Sequence, residues 1–149
     1  MTAIRTQVVF DAAEPHELAK FWASALHYEH EEIDAFVSGL VDAGHVPLEY
    51  TIEIAGKRRW RSLASLRHPE DPVDERGAGS GRRILFQAVP ERKTVKNRVH
   101  LDLLVGPDAH EAEVQRLVGL GASVLGVHDG DDGRWTLLAD PEGNEFDVS

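Results

Sequence analysis

His100 is the side chain of this sequence best placed for chemistry. Imidazole changes charge near neutrality, moves protons and ligates metals. It lies in "NRVHLDLLV", a run of aliphatic and β-branched residues that reads as a strand over 97–105. Asp102 follows two residues later, and side chains two apart on a strand share a face. Its carboxylate could orient the imidazole or keep it protonated. A plainer reading, and the preferred one, makes Asp102 a strand residue paired to an arginine across the fold. Gln7 occupies the matching point of an earlier run, "RTQVVFDA", so an amide and an imidazole stand at equivalent places. "NEFDV" adds Glu145 and Asp147 on one face of a last strand, with Phe146 and Val148 on the other. If Phe146 is buried in a core, Asp147 points the other way. Trp135 and Leu137 share a face of "RWTLLAD". Trp135 is a candidate wall for a small-molecule pocket, and Leu137 reads as core.

Other polar clusters carry less. "HYEHEE" holds His27 and His30 with carboxylates, but it follows a helix end and reads as a solvated connection. "GAGSG" lacks the lysine–hydroxyl end of a phosphate-binding loop and opens no helix. No G-x-S-x-G is present, and there is no cysteine, so thiol nucleophiles, thiolate metal sites and disulfides are excluded. Trp60 in "KRRWR" sits among cations and reads foremost as a protected hairpin edge, with a lid or an anion-binding patch as alternatives.

Composition bounds the rest. A chain of 149 residues, 42% hydrophobic, supports one domain or two small modules. A formal charge of −10 argues against nucleic acid and against an anionic membrane surface. "MTAIRTQVVF" shows no signal-peptide pattern, and no apolar run reaches membrane length, so the expected location is the cytoplasm.

The elements that must position these residues follow an order that occurs twice. A strand over 5–12 precedes a helix over 14–26, where Pro15 suits the first turn and Leu18, Phe21, Trp22, Ala25 and Leu26 recur at helical spacing. Ile33, Phe36, Val37, Leu40 and Val41 form one face of a second helix stopping at Gly44. Residues 47–69 read as a hairpin turning at "AGK", with Leu48, Tyr50, Ile52 and Ile54 alternating against polar residues. A polar loop over 68–83, expected to be mobile, leads to the strand "RILFQAVPE". The second half runs strand 97–105, a helix stopping at Gly121, two strands around "GDDG", and "NEFDV". Such an internal repeat implies two like modules.

"ILFQAVPERKTVKNRVHLDLLV", "LGASVLGV" and "DPEGNEFDV" resemble bacterial glyoxalase-like domain proteins of the vicinal oxygen chelate superfamily, which includes glyoxalase I, extradiol dioxygenases and bleomycin-resistance proteins. "KNRVHLDL" and "DPEGNEF" carry most of the resemblance, and 30–83 matches loosely. The resemblance implies an α+β fold: two βαβββ modules, about 4–91 and 97–149, forming a single domain with a cup-shaped mixed β-sheet and helices packed outside. It implies ligand positions on the first, fourth, fifth and eighth strands, which here hold Gln7, Gln87, His100 and Asp147. Gln7 and His100 match the types found in glyoxalase I. Asp147 replaces a glutamate, and Gln87 replaces a glutamate with loss of charge.

Two amides, one imidazole and one carboxylate give a divalent cation a single negative charge, and neutral amide oxygens are weak donors. The preferred expectation is therefore a small-molecule-binding protein with no metal, its pocket lined by Gln7, Gln87, His100, Asp102, Trp135 and Asp147. The alternative is a metal-dependent lyase or isomerase, or a dioxygenase, using zinc, nickel, manganese or iron. A third reading is sequestration of a cationic antibiotic. A homodimer is expected, with Phe36, Val37, Leu40 and Val41 as its apolar face.

Overall fold

A computed structural model describes Ile4, residues 6–131 and residues 133–149. Arg5, where the first strand was expected to begin, and Asp132 of "GDDG" lie outside the described residues. The chain divides into two compact units, Met1–Pro90 and Glu91–Ser149.

The first unit runs β1 (Val8–Ala12), α1 (Pro15–Leu26), β2 (Glu29–His30), α2 (Asp34–Asp42), β3 (Thr51–Ile54), β4 (Lys57–Trp60), β5 (Leu63–Arg67) and β6 (Arg83–Ala88). Its main sheet has the order β1-β6-β5-β2, with β1 parallel to β6 and the other pairs antiparallel. Pro15 opens α1, whose apolar stripe buries Leu18, Ala19, Phe21, Trp22 and Ala25 against β5 and β6. Phe10 anchors that core, 5.3 Å from Trp22 and 5.4 Å from Phe86 between ring centroids. Removing such a packed ring typically costs about 3–5 kcal/mol.

Between β2 and β5 the chain inserts α2 and the hairpin β3–β4, and α2 packs on β4. The hairpin turns at Ala55 and Gly56, at φ 51° and 75°, the hand that two-residue hairpin turns require. It is shorter than the sequence suggested. Leu48 and Tyr50 lie in a 3-10 turn and are mostly exposed, while Thr51 is buried. The ladder stops at the Thr51–Trp60 pair because β4 ends there and the chain leaves to enter the main sheet as β5.

The second unit runs β7 (Asp102–Leu103), α3 (His110–Leu120), β8 (Ser123–Gly130), β9 (Gly133–Ala139) and β10 (Glu145–Val148). Its sheet order is β7-β10-β9-β8, with β7 parallel to β10. This is the order of the first unit without the insertion, so each unit is a βαβββ module with an open, mixed sheet and the fold is α+β. Phe146, Val148, Leu138 and Leu103 are buried with Val114 and Leu117 of α3, which packs on β10. The strand expected over 97–105 is regular only at Asp102 and Leu103. It lies at the sheet's edge and pairs with β10 alone, so the four residues of β10 limit its ladder. The turn into β10 is built by buried Asp140. Its Oδ1 accepts hydrogen bonds from the main-chain amides of Glu142 and Asn144, each at 2.9 Å, and its Oδ2 accepts one from Asn144 Nδ2 at 2.8 Å.

Candidate functional site

The second unit gathers three of the sequence-predicted residues. Parallel pairing sets Asp147 beside Asp102 in register, and His100 stands two residues before Asp102 on the same face. His100 Nε2 is 3.3 Å from Asp102 Oδ1 and 3.3 Å from Asp147 Oδ2. Asp102 therefore meets an imidazole; among the described residues it forms no ion pair with the arginine expected from the sequence. The two carboxylates differ in surroundings. The Asp102 side chain is 57% exposed and that of Asp147 is 17% exposed. Asp147 Oδ1 is buried with no hydrogen-bond partner. Burial pushes the Asp147 carboxyl above its ordinary range; His100 opposes the rise, and Asp102 adds to it.

The ligand atoms of His100, Asp102 and Asp147 all lie within 4.8 Å of one another. A small divalent cation bound at about 2.1 Å to octahedral donors spaces neighbouring donors about 3 Å apart. One imidazole and two carboxylates suit manganese, iron or zinc. The orphaned oxygen of Asp147 is also open to a bond. The three side chains are a candidate group for a divalent metal, with Asp102 as a member that the sequence-based ligand set lacks.

Two other groups on these strands are already committed. Glu145 Oε2 accepts a hydrogen bond from the Asn97 amide at 3.0 Å and pairs with Lys93 at 3.0 Å. The amide first, then the lysine, hold its carboxyl down at about 2 against the effect of burial. The half-buried Trp135 stacks on His128, 3.7 Å between ring centroids and 19° between planes.

Gln7 and Gln87 belong to the first unit. Strand parity puts both on the sheet face opposite the Phe10 core. Gln7 Oε1 accepts a hydrogen bond from Arg83 Nη1 at 2.9 Å. Gln87 is exposed, paired in register with Asp11 and Leu63.

On that face lies a cavity of about 540 Å³, within the usual range for small-molecule sites. Gln7 reaches it; Gln87 does not. Apolar walls come from Ile33, Phe36, Trp60, Leu63 and Leu85, and charge from Glu31, Arg59, Arg76 and Arg83. Glu31 is fully buried. Its oxygens accept hydrogen bonds from Ser65 Oγ at 2.5 Å, the Gly79 amide at 2.6 Å, and Arg83 Nε and Nη2 at 2.7 and 2.9 Å. The two-pronged guanidinium contact fixes Arg83 as well as satisfying the carboxylate.

The segment holding Glu31 reads from sequence as a solvated connection, yet in the structure Glu31 is fully buried. Its partners Ser65 and Arg83 stand 34 and 52 residues away, so no local pattern announces it. The glycines of "GAGSG" acquire a purpose here. A Cβ on Gly79 would come within 2.7 Å of Arg67 Cβ, and one on Gly77, at φ 84°, within 2.2 Å of the Glu32 carbonyl oxygen. Small residues let the loop close onto Glu31. The loop is also tied internally, with Asp71 on Arg82 and Asp74 on Arg76 and the Ala78 amide. Trp60, a hairpin-edge residue as expected, also lines the cavity. His27 and His30 join no group of three metal-ligating side chains among the described residues. No helix among those residues is long and apolar enough to cross a membrane.

The fold has solved counterparts. A fosfomycin resistance protein FosX from Mesorhizobium loti superposes with a TM-score of 0.59 at 8% identity, over 99% of this chain and 91% of that one. A FosX mutant from Listeria monocytogenes, complexed with Mn(II) and a dihydroxypropylphosphonic acid, gives 0.59 at 10% identity, over 99% and 90%. A glyoxalase-related enzyme from Fulvimarina pelagi gives 0.56 at 12% identity, over 98% and 87%. At these identities the likeness is one of fold. No curated protein matches the chain. A family model described as a glyoxalase-like domain matches residues 7–149, spanning both βαβββ units, and the chain belongs to that family.

Proposed function

We propose that this protein is a glyoxalase-like small-molecule-binding protein, its two modules working as one domain, with the first-module cavity as its pocket and without a strong metal site. The cavity carries the reading: about 540 Å³, apolar walls, and a polar floor prebuilt around Glu31. The metal-free part is supported by Gln7, whose amide oxygen already receives a guanidinium proton. A donor beside a cation is a poor metal ligand. Leu85→Trp should fill the cavity. Small organic compounds that raise the melting temperature of the wild type should then have no effect on the variant, provided its circular dichroism is unchanged. Equal shifts in both proteins would remove the cavity from the function. Val37 of the expected α2 face is fully buried in its own unit and Phe36 lines the cavity, so the reading keeps a cytoplasmic homodimer without assigning its surface, and a monomer mass in light scattering would exclude the dimer.

A second reading rests on a separate observation, the His100–Asp102–Asp147 group with its orphaned oxygen. A divalent ion held there would polarise substrate oxygens as a Lewis acid, the chemistry of a metal-dependent lyase, isomerase or dioxygenase. Metal at a hundredfold above its Kd stabilises the fold by about 2.7 kcal/mol. A thermal shift of that size with manganese, zinc, nickel or iron(II), lost in His100→Ala, would replace the metal-free reading.

A further inference from the structure

The pocket assigned above carries a charge that the molecule as a whole does not. The chain has a formal charge of −10, yet the cavity is lined by Arg59, Arg76 and Arg83 against a single carboxylate, Glu31. The three arginines are not equivalent. Arg83 is consumed by Glu31 and Gln7. Arg76 is held by Asp74, at 3.0 Å from Nε and 2.6 Å from Nη2. Arg59 has no ion pair among the described residues; its Nη1 donates to the main-chain carbonyl of Glu31 at 3.2 Å. Its charge is felt locally: burial first, then Arg59, hold the His30 imidazole below its ordinary range. The next residue along β4, Trp60, also lines the cavity, and Phe36 and Leu85 add further apolar wall.

We propose that the cavity binds a small organic monoanion, a carboxylate joined to a planar apolar body, with Arg59 recognising the carboxylate and Trp60, Phe36 and Leu85 contacting the body. This rests on the pocket reading above. A guanidinium with unused donors presents the planar fork that a carboxylate matches. One uncommitted cation suits one negative charge. A phosphate or phosphonate carries between one and two charges and calls for a second free cation; Arg76 and Arg83 are committed, and His16, which also lines the cavity, has its Nε2 on the Trp60 carbonyl at 2.8 Å. The hydrogen bond to Glu31's carbonyl keeps the Arg59 side chain from having to be ordered by the ligand.

The test compares three probes of one shape by isothermal titration calorimetry on the full chain: 2-naphthoate, 2-naphthamide and 2-naphthylphosphonate. The acid is expected to bind at least about tenfold more tightly than the amide, about 1.4 kcal/mol. High salt should weaken the acid and leave the amide unchanged. Arg59→Gln should remove the advantage of the acid without altering amide affinity. The salt comparison uses wild-type protein only, so it decides the matter even if the variant misfolds. An amide that binds as tightly as the acid, or an acid insensitive both to salt and to Arg59→Gln, overturns the anion inference and leaves the pocket standing. A phosphonate bound more tightly than the acid overturns the choice of carboxylate. If none of the three binds, the pocket assignment falls together with the inference.

Discussion

Two sheltered carboxylates, Glu31 in the first module and Asp147 in the second, are treated in opposite ways. Glu31 is sealed from water and every hydrogen bond it needs is made, to Ser65, to the Gly79 amide and twice to Arg83. The Asp147 side chain keeps 17% of its surface exposed, one of its oxygens is buried without a partner, and His100 and a second carboxylate stand beside it. A satisfied buried charge is scaffolding, because its free energy is already spent on orienting its neighbours. An unsatisfied one is a cost that the fold carries for another purpose. Glu31 thus uses its charge to build the floor of a cavity, as Asp140 uses its own to build a turn, and Asp147 leaves charge available.

The largest effect should come from breaking the satisfied centre. Glu31→Gln keeps the shape but sets an amide against the Arg83 guanidinium and removes its counter-charge. Breaking a buried pair typically costs about 3–5 kcal/mol. Arg83 retains some contact with solvent, so about 3 kcal/mol is expected, or a melting temperature lower by roughly 10 °C. Urea denaturation measures it. A loss below about 1 kcal/mol, the worth of an ordinary hydrogen bond, would show that Glu31 is not the keystone of the floor.

Replacing Trp135 probes how the second module uses its aromatic residue. Trp60 lines a cavity, whereas Trp135 covers His128 face to face. Trp135→Leu keeps apolar bulk and removes the stacked pair. The expected loss is about 1 kcal/mol, with the near-ultraviolet circular dichroism of the stack gone. A loss of about 3 kcal/mol or more would make Trp135 a core residue rather than a surface wall.

What the sequence disclosed follows the range of each interaction. Period-two alternation placed Phe146 and Val148 in the core and Asp147 on the other face. Pro15 and the helical stripe through Trp22 located α1. These are local patterns. The length of β7 was illegible because the ladder is limited by β10, far along the chain. Leu48 and Tyr50 alternate like strand residues but have no partner strand, since β4 leaves for another sheet. His100 and Asp147 were identifiable as chemistry from residue type, and Asp102 from its spacing to His100. Glu31 with Arg83 was not, because a nonlocal pair between two ordinary surface residue types has no signature until the fold closes. The Gly77–Gly81 run was visible as a loop, but its reason, close approach to Glu31 and Glu32, was not.

Glu145 sharpens the comparison from within the second module, since it shares a face with Asp147 but has partners. Its folded carboxyl lies at about 2 against an ordinary 4.5. A depressed carboxylate contributes stability above the unfolded value, and that contribution is lost as pH falls from 4.5 towards 2. Glu145→Gln should therefore flatten this part of the acid limb and lower stability at neutral pH. Denaturation midpoints measured across that window give the slope. A slope equal to wild type would mean that Asn97 and Lys93 do not hold the charge.

Asp147→Asn should give the smallest change in stability, and of the opposite sign. Its folded carboxyl is raised above the ordinary 3.8, so the unfolded chain loses that proton more readily than the folded one. Below 3.8 the group is protonated in both states and contributes nothing. As pH rises through the unfolded and then the folded value, ionisation favours the unfolded chain, and wild-type stability falls relative to a residue that cannot ionise. Asparagine keeps the shape and drops the charge, so the variant should equal wild type in acid and exceed it slightly at neutral pH. Glu31→Gln and Glu145→Gln are expected to lower stability at neutral pH instead, and that difference in sign is the comparison in measurable form. Manganese gives the second axis. Under the metal-dependent reading, the ion should stabilise wild type and not Asp147→Asn; under the metal-free reading it should stabilise neither. If Asp147→Asn is less stable than wild type at neutral pH with no metal added, Asp147 is scaffolding like Glu31, and the contrast between the two carboxylates disappears.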